Sequence, residues 1–124
     1  MPLYTITTEA GTLDAAARAS LASGITDLHV KMSGVPDKWV HVLFHTYSSG
    51  HGFSAGHPAA AVALNLVIRT GRTPDYKQTL LTNLWHLLQA ATAAPDDQIA
   101  IAIQEVLPSD AMEMGAVMPE THAA

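Results

Sequence analysis

The second half of this chain repeats the first in pattern though not in residues, and that repeat constrains the fold more than any other feature. Leu3 to Thr8 alternates Leu, Tyr, Thr, Ile and Thr, the composition of a strand, and breaks at Gly11-Thr12. Leu13, Ala17, Leu21, Ile25, Leu28 and Met32 follow at helical spacing behind Thr12 as the expected N-cap, until Gly34-Val35-Pro36 stops the run. Trp39 to His45 then carries the aromatic and branched content of a second strand. The order returns with an apolar strand at Ala63 to Ile68, a break at Gly71-Arg72-Thr73, and a helix with Thr73 as N-cap and Pro74 at its first position. Tyr76, Leu80, Leu84, Leu87, Leu88 and Ala91 form its stripe, Pro95-Asp96-Asp97 ends it, and Ile99 to Glu105 is the fourth strand. Ala94-Pro95-Asp96 echoes Val35-Pro36-Asp37.

A tandem β-α-β repeat leaves few topologies: an α+β fold in which a four-stranded sheet carries both helices on one face. One domain over residues 1–124 is expected, with pseudo-repeat halves 2–45 and 63–105 joined by a Ser-, Gly- and His-rich loop over 46–62. The uncovered sheet face asks for a partner. Composition agrees, because 48% apolar and only 14% charged residues in a chain of 124 exceed what a solvated monomer of this size requires.

Several function classes are excluded on charge and composition. The net charge of −5, with six Lys and Arg scattered between Arg18 and Lys77, provides no basic stripe, so nucleic acid is not an expected partner. No apolar run approaches the roughly 18 residues of a membrane helix and no signal-peptide pattern opens the chain, so a cytoplasmic protein without a membrane partner is expected. The chain has no Cys, which removes disulfides, thiolate chemistry and Cys-based metal sites. His41, His45, His51 and His57 match no zinc spacing, and no metal or other cofactor is expected.

Five residues remain as candidates for chemistry. Pro2 becomes a free secondary amine if Met1 is removed, and an α-amino group titrates near roughly 7.7–8.0, closer to neutrality than any Lys. Burial or a nearby cation lowers that value further, into the range of a general acid or base. Arg69 and Arg72 stand at the end of the third strand and in the turn into the second helix, where a guanidinium pair suits a carboxylate and equally suits solvent. His29 lies about 90° from the centre of the first helical stripe, facing either a cleft or a subunit boundary. Glu113, isolated in Ala111-Met112-Glu113-Met114-Gly115, reads either as a water-activating base or as a rim residue.

Together these residues resemble the tautomerase superfamily, and within it the cis-3-chloroacrylic acid dehalogenase branch. The resemblance rests on Met1-Pro2 before a strand, Ile25-Thr26-Asp27-Leu28-His29 in the first helix, Arg69-Thr70-Gly71-Arg72 before the second, and Met112-Glu113-Met114-Gly115 near the end. It implies a homotrimer in which Pro2 is the acid/base, Arg69 and Arg72 clamp a substrate carboxylate, His29 also contacts that carboxylate, and Glu113 activates water. The family's assisting tyrosine is replaced by Ile103 or Gln104 in the fourth strand. The expected function is therefore tautomerisation of a 2-oxo acid or its enol, a small carboxylate substrate. The alternatives are hydration or dehalogenation of an unsaturated or halogenated three-carbon acid, and a trimeric binding module with a vestigial proline.

Overall fold

The computed structural model describes residues 1–121. Strand β1 (Leu3–Glu9) leads into α1 (Ala15–Ser33) and returns as β2 (His41–Tyr47); β5 (Val62–Arg69), α2 (Pro74–Thr92) and β6 (Ile99–Val106) repeat the unit. Between them lies a hairpin, β3 (Phe53–Ser54) and β4 (His57–Pro58), and a matching hairpin, β7 (Met112–Glu113) and β8 (Ala116–Val117), follows β6. The strands run β2-β1-β5-β6, parallel within each unit and antiparallel where β1 meets β5. Thr5 opposite Asn65 marks the centre of that antiparallel pair. The two units are thus related by a pseudo-twofold axis through the sheet.

One face of the sheet forms the core. Alternation turns Tyr4 and Ile6 of β1 and Val62, Leu64, Leu66 and Ile68 of β5 toward the helices, which answer with Leu21, Ile25, Leu80, Leu84 and Leu88. Leu80, Leu84 and Leu88 lose all solvent contact, stabilising the fold by roughly 1.5–3 kcal/mol each. The opposite face is thinly covered: His41, Leu43 and His45 of β2 and Ala100, Ala102 and Gln104 of β6 all lie exposed.

Local chemistry sets the element ends. The side chain of Asp14, rather than the expected Thr12, caps α1 by accepting from the Ala17 N–H at 2.7 Å. Thr12 is occupied in the turn that leaves β1, where its N–H donates to the Glu9 carbonyl at 3.1 Å beside Gly11 at φ 92. Helix α2 starts as its sequence implies, with Thr73 accepting from the Tyr76 N–H at 3.1 Å and Pro74 following. The second strand begins at His41, because Pro36 directs Asp37–Trp39 into a 3-10 turn that sets Trp39 outside the sheet.

The loop over 46–62 is more ordered than its composition suggests. Its hairpin turns on Ala55 and Gly56, both left-handed at φ 50 and φ 77, as the twist of a two-residue hairpin requires. Met114 and Gly115 do the same in the second hairpin at φ 53 and φ 75. The repeat therefore extends past the strands, with an offset of 59 residues that carries Ala15 to Pro74 and Phe53 to Met112.

Candidate active site

The chain begins against the end of β5. Met1, His29, Val35, Ile68, Arg69, Arg72, Tyr76 and Thr121 line a small cavity of about 10 Å³. Pro2 is fully buried beside it, and its carbonyl accepts from the His41 N–H at 3.2 Å. With Met1 in place the Pro2 nitrogen is an amide. The Met1 ammonium forms an ion pair with the Glu113 carboxylate and lies 3.7 Å from the Met118 sulfur. Burial lowers the proton affinity of this ammonium, Glu113 acts to raise it, and Arg69 acts to lower it.

His29 is buried at 3% exposure, on the cleft side of α1. Its Nδ1 lies 2.7 Å from the Tyr4 hydroxyl, with the rings edge to face at 5.6 Å between centroids. Burial, followed by Arg72, the chain terminus and Arg69, pushes the imidazole down to about 3, while burial drives the Tyr4 phenol far above its ordinary value. Tyr4 therefore keeps its proton and donates it to Nδ1, which assigns the imidazole hydrogen to Nε2. A neutral histidine at the cavity wall supplies a hydrogen-bond donor without a charge.

Arg69, the last residue of β5, is charged yet only 5% exposed. Its guanidinium donates to the Pro119 carbonyl at 2.5 Å and lies 5.5 Å from the centre of the Trp39 ring. Burial and Arg72 oppose its charge, and Glu113 supports it. Arg72 stacks its guanidinium over Tyr76 at 5.0 Å. Gly71, between the two arginines, adopts φ 113, and Thr121 donates its hydroxyl to the Thr70 carbonyl at 2.8 Å across this turn. Both arginines also border a wider groove of about 270 Å³ whose other walls include Val35, Pro36 and Trp39.

The site thus gathers the chain terminus, His29, Arg69 and Arg72 in one cavity and brings Glu113 to the terminus by an ion pair. It does not include the fourth strand: Ile103 packs against the core and Gln104 is exposed. His41, His45, His51 and His57 are exposed, and among the described residues no three His, Asp or Glu side chains converge as a metal site. Nor is the site duplicated. At the repeat offset, Pro2, His29, Arg69, Arg72 and Glu113 correspond to Ala61, Leu88, Ala10, Leu13 and Ser54.

A family model described as "Putative oxalocrotonate tautomerase enzyme" matches residues 1–124. The chain belongs to this tautomerase family. Among solved structures, that of native Ps01740 is 34% identical, with a TM-score of 0.86 over 90% of this chain and 99% of that one. N1, a member of the cis-3-chloroacrylic acid dehalogenase family, is 28% identical, with a TM-score of 0.90 over 96% of this chain and 85% of that one. A symmetric trimer of fused 4-OT shares the fold at 20% identity and a TM-score of 0.84, covering 94% of each chain. No curated protein matches the sequence. The chain is therefore a tautomerase-superfamily member of the tautomerase-like or dehalogenase type, in the cis-3-chloroacrylic acid dehalogenase-like branch.

Three residues of the candidate site escape a reading of sequence pattern. Tyr4 and Tyr76 fall on apolar stripes, where periodicity registers the ring and not the hydroxyl. Trp39 reads as the start of a strand, and only the Pro36 turn sends it to Arg69.

Proposed function

We propose that this tautomerase, once Met1 is removed, moves a proton between oxygen and carbon of a 2-oxo acid or its enol with the Pro2 amine. Arg69 and Arg72 bind the substrate carboxylate, and His29 adds a neutral donor through Nε2. In the ketonising direction the Pro2 lone pair takes the enol hydroxyl proton. The O–H electrons become the carbonyl π bond, and the former C=C pair takes the proton back from the Pro2 ammonium at carbon, which restores the free amine. The observation that carries this reading is the terminus lying in one cavity with His29, Arg69 and Arg72. Val35 and Ile68 add apolar wall to that cavity, which strengthens the charges beside them.

The test is ketonisation of an enolpyruvate by protein whose intact mass shows Pro2 at the terminus, against a Pro2→Ala variant. Equal rates would end the proposal. Attachment of a halopropiolate at Pro2 is the expected labelling result, and an unreactive terminus would instead favour a binding module with a vestigial proline.

A second reading is favoured by the contact between Glu113 and the chain terminus. Here protonated Pro2 donates to carbon while Glu113 takes a proton from the water that adds to an unsaturated or halogenated three-carbon acid. Loss of hydration in Glu113→Gln with tautomerase activity intact would separate the two chemistries. For either chemistry we propose a homotrimer with one site per chain, in keeping with the exposed sheet face and the fused 4-OT trimer of the same fold. A cytoplasmic location is proposed on the composition.

A further inference from the structure

The least explained group in the cavity wall is the Tyr76 hydroxyl. It is sealed from solvent and, among the described residues, makes no hydrogen bond within 3.5 Å, in a residue only 8% exposed. The neighbouring Ser33 hydroxyl acts on it more weakly than burial or Arg72 does, because its own proton goes to the His29 carbonyl at 2.6 Å while it accepts from the Val35 N–H at 3.2 Å. A buried hydroxyl without a partner is costly, and native chains rarely keep one without a use.

Its ring is held in place from three sides. The Tyr76 N–H donates to Thr73 at 3.1 Å in the first turn of α2, Pro74 fixes the backbone before it, and the Arg72 guanidinium lies over the ring. The phenol is thus preorganised beside the carboxylate clamp. Burial raises its proton affinity, with Arg72 and Ser33 opposing, so the hydroxyl stays protonated near neutral pH and is available as a donor.

A 2-oxo acid presents three oxygens to this wall. The arginines account for the carboxylate, and Arg69 is already partly engaged with Pro119 and Trp39. The oxygen on the adjacent carbon then needs its own partner. We propose that the Tyr76 hydroxyl donates a hydrogen bond to the C2 oxygen of the substrate, and so selects 2-oxo and 2-hydroxy-enoic acids over carboxylates that lack that oxygen. Removal of Met1, which lines the same cavity, opens the space the substrate occupies. In this role Tyr76 touches the oxygen at which charge develops when the enol loses its proton, and is a catalytic residue.

This contact rests on the tautomerase reading above, but its test is a binding measurement that does not require turnover. Affinities for phenylpyruvate and for 3-phenylpropanoate, which lacks the C2 oxygen, are measured by calorimetry on Pro2-terminal wild type and on Tyr76→Phe. The wild type is expected to prefer phenylpyruvate by about tenfold or more, and Tyr76→Phe to lose about tenfold of that preference. Affinity for 3-phenylpropanoate should be unchanged, and the thermal midpoint should hold or rise, because the deleted hydroxyl makes no hydrogen bond within 3.5 Å among the described residues. An unchanged preference in Tyr76→Phe would overturn the contact, as would a fall of several degrees in the midpoint, which would reveal a structural partner. Binding with the expected loss of preference but no ketonisation by wild type would uphold the contact and end the tautomerase reading. Ketonisation with unchanged preference would do the reverse, and failure of the wild type to bind either acid would overturn both.

Discussion

The Tyr4 hydroxyl and His29 Nδ1, 2.7 Å apart where β1 meets α1, tie the first strand to the wall of the candidate site. Tyr4 is wholly buried and two residues from Pro2, so the bond fixes the histidine relative to the chain terminus. Tyr4→Phe removes the donor and leaves Nδ1 without a partner in a dry contact. A loss of about 1–3 kcal/mol in folding free energy is expected, read from the urea midpoint. The proton on the imidazole is then free to move to Nδ1, which removes the donor at Nε2. Ketonisation should fall about tenfold, and equal activity would show that the tautomer is not set by Tyr4.

The same buried histidine makes stability pH-dependent. Its folded value of about 3 lies below the ordinary 6.5, so folding favours the neutral ring. The corresponding stabilisation is full above about pH 6.5 and is lost as pH falls toward about 3. Chemical denaturation at steps across that window should show a loss of order a few kcal/mol, and a His29→Gln variant should show a flatter profile. A wild-type profile no steeper than that of the variant would refute the assignment.

Much of the fold is legible in the sequence because both halves repeat clear periods. Alternation in Leu3 to Thr8 and helical spacing from Tyr76 to Ala91 each depend on one buried face, and burial is what writes a period. The hairpins are not legible in this way. Two-residue strands are too short for a period, and one left-handed position in each turn is filled by Ala55 or Met114 where glycine would have marked it. The site divides along similar lines. His29, Arg69 and Arg72 stand out because a polar or charged side chain on or beside an apolar stripe breaks a pattern. Tyr4 and Tyr76 continue theirs, and nothing in a linear sequence shows that one hydroxyl bonds His29 while the other makes no hydrogen bond within 3.5 Å among the described residues.

Gly71 offers a test of the clamp that spares both arginines. At φ 113 an alanine is strained by of order 1–3 kcal/mol, and its Cβ would collide with the Thr121 hydroxyl that fastens the turn. Gly71→Ala should lower the urea midpoint modestly. It should also raise KM for a carboxylate substrate several-fold through displacement of Arg69 and Arg72, with a smaller change in kcat. Unchanged KM would argue that the turn does not set the clamp.

The last expectation concerns the proton on the terminal amine. At Met1 the ammonium is already pulled below its ordinary value of 8.0, by burial first and by Arg69, while Glu113 works in the opposite sense. Pro2 is buried more deeply than Met1, so burial should lower the proton affinity of a Pro2 amine from its ordinary value as well. A general base must be unprotonated, so kcat/KM for ketonisation should rise with pH along an acid limb displaced below the ordinary value of such an amine. Glu113→Gln removes the group that supports the cation and should move this limb to lower pH. If the limb moves to higher pH instead, Glu113 does not act on the Pro2 amine as it acts on Met1.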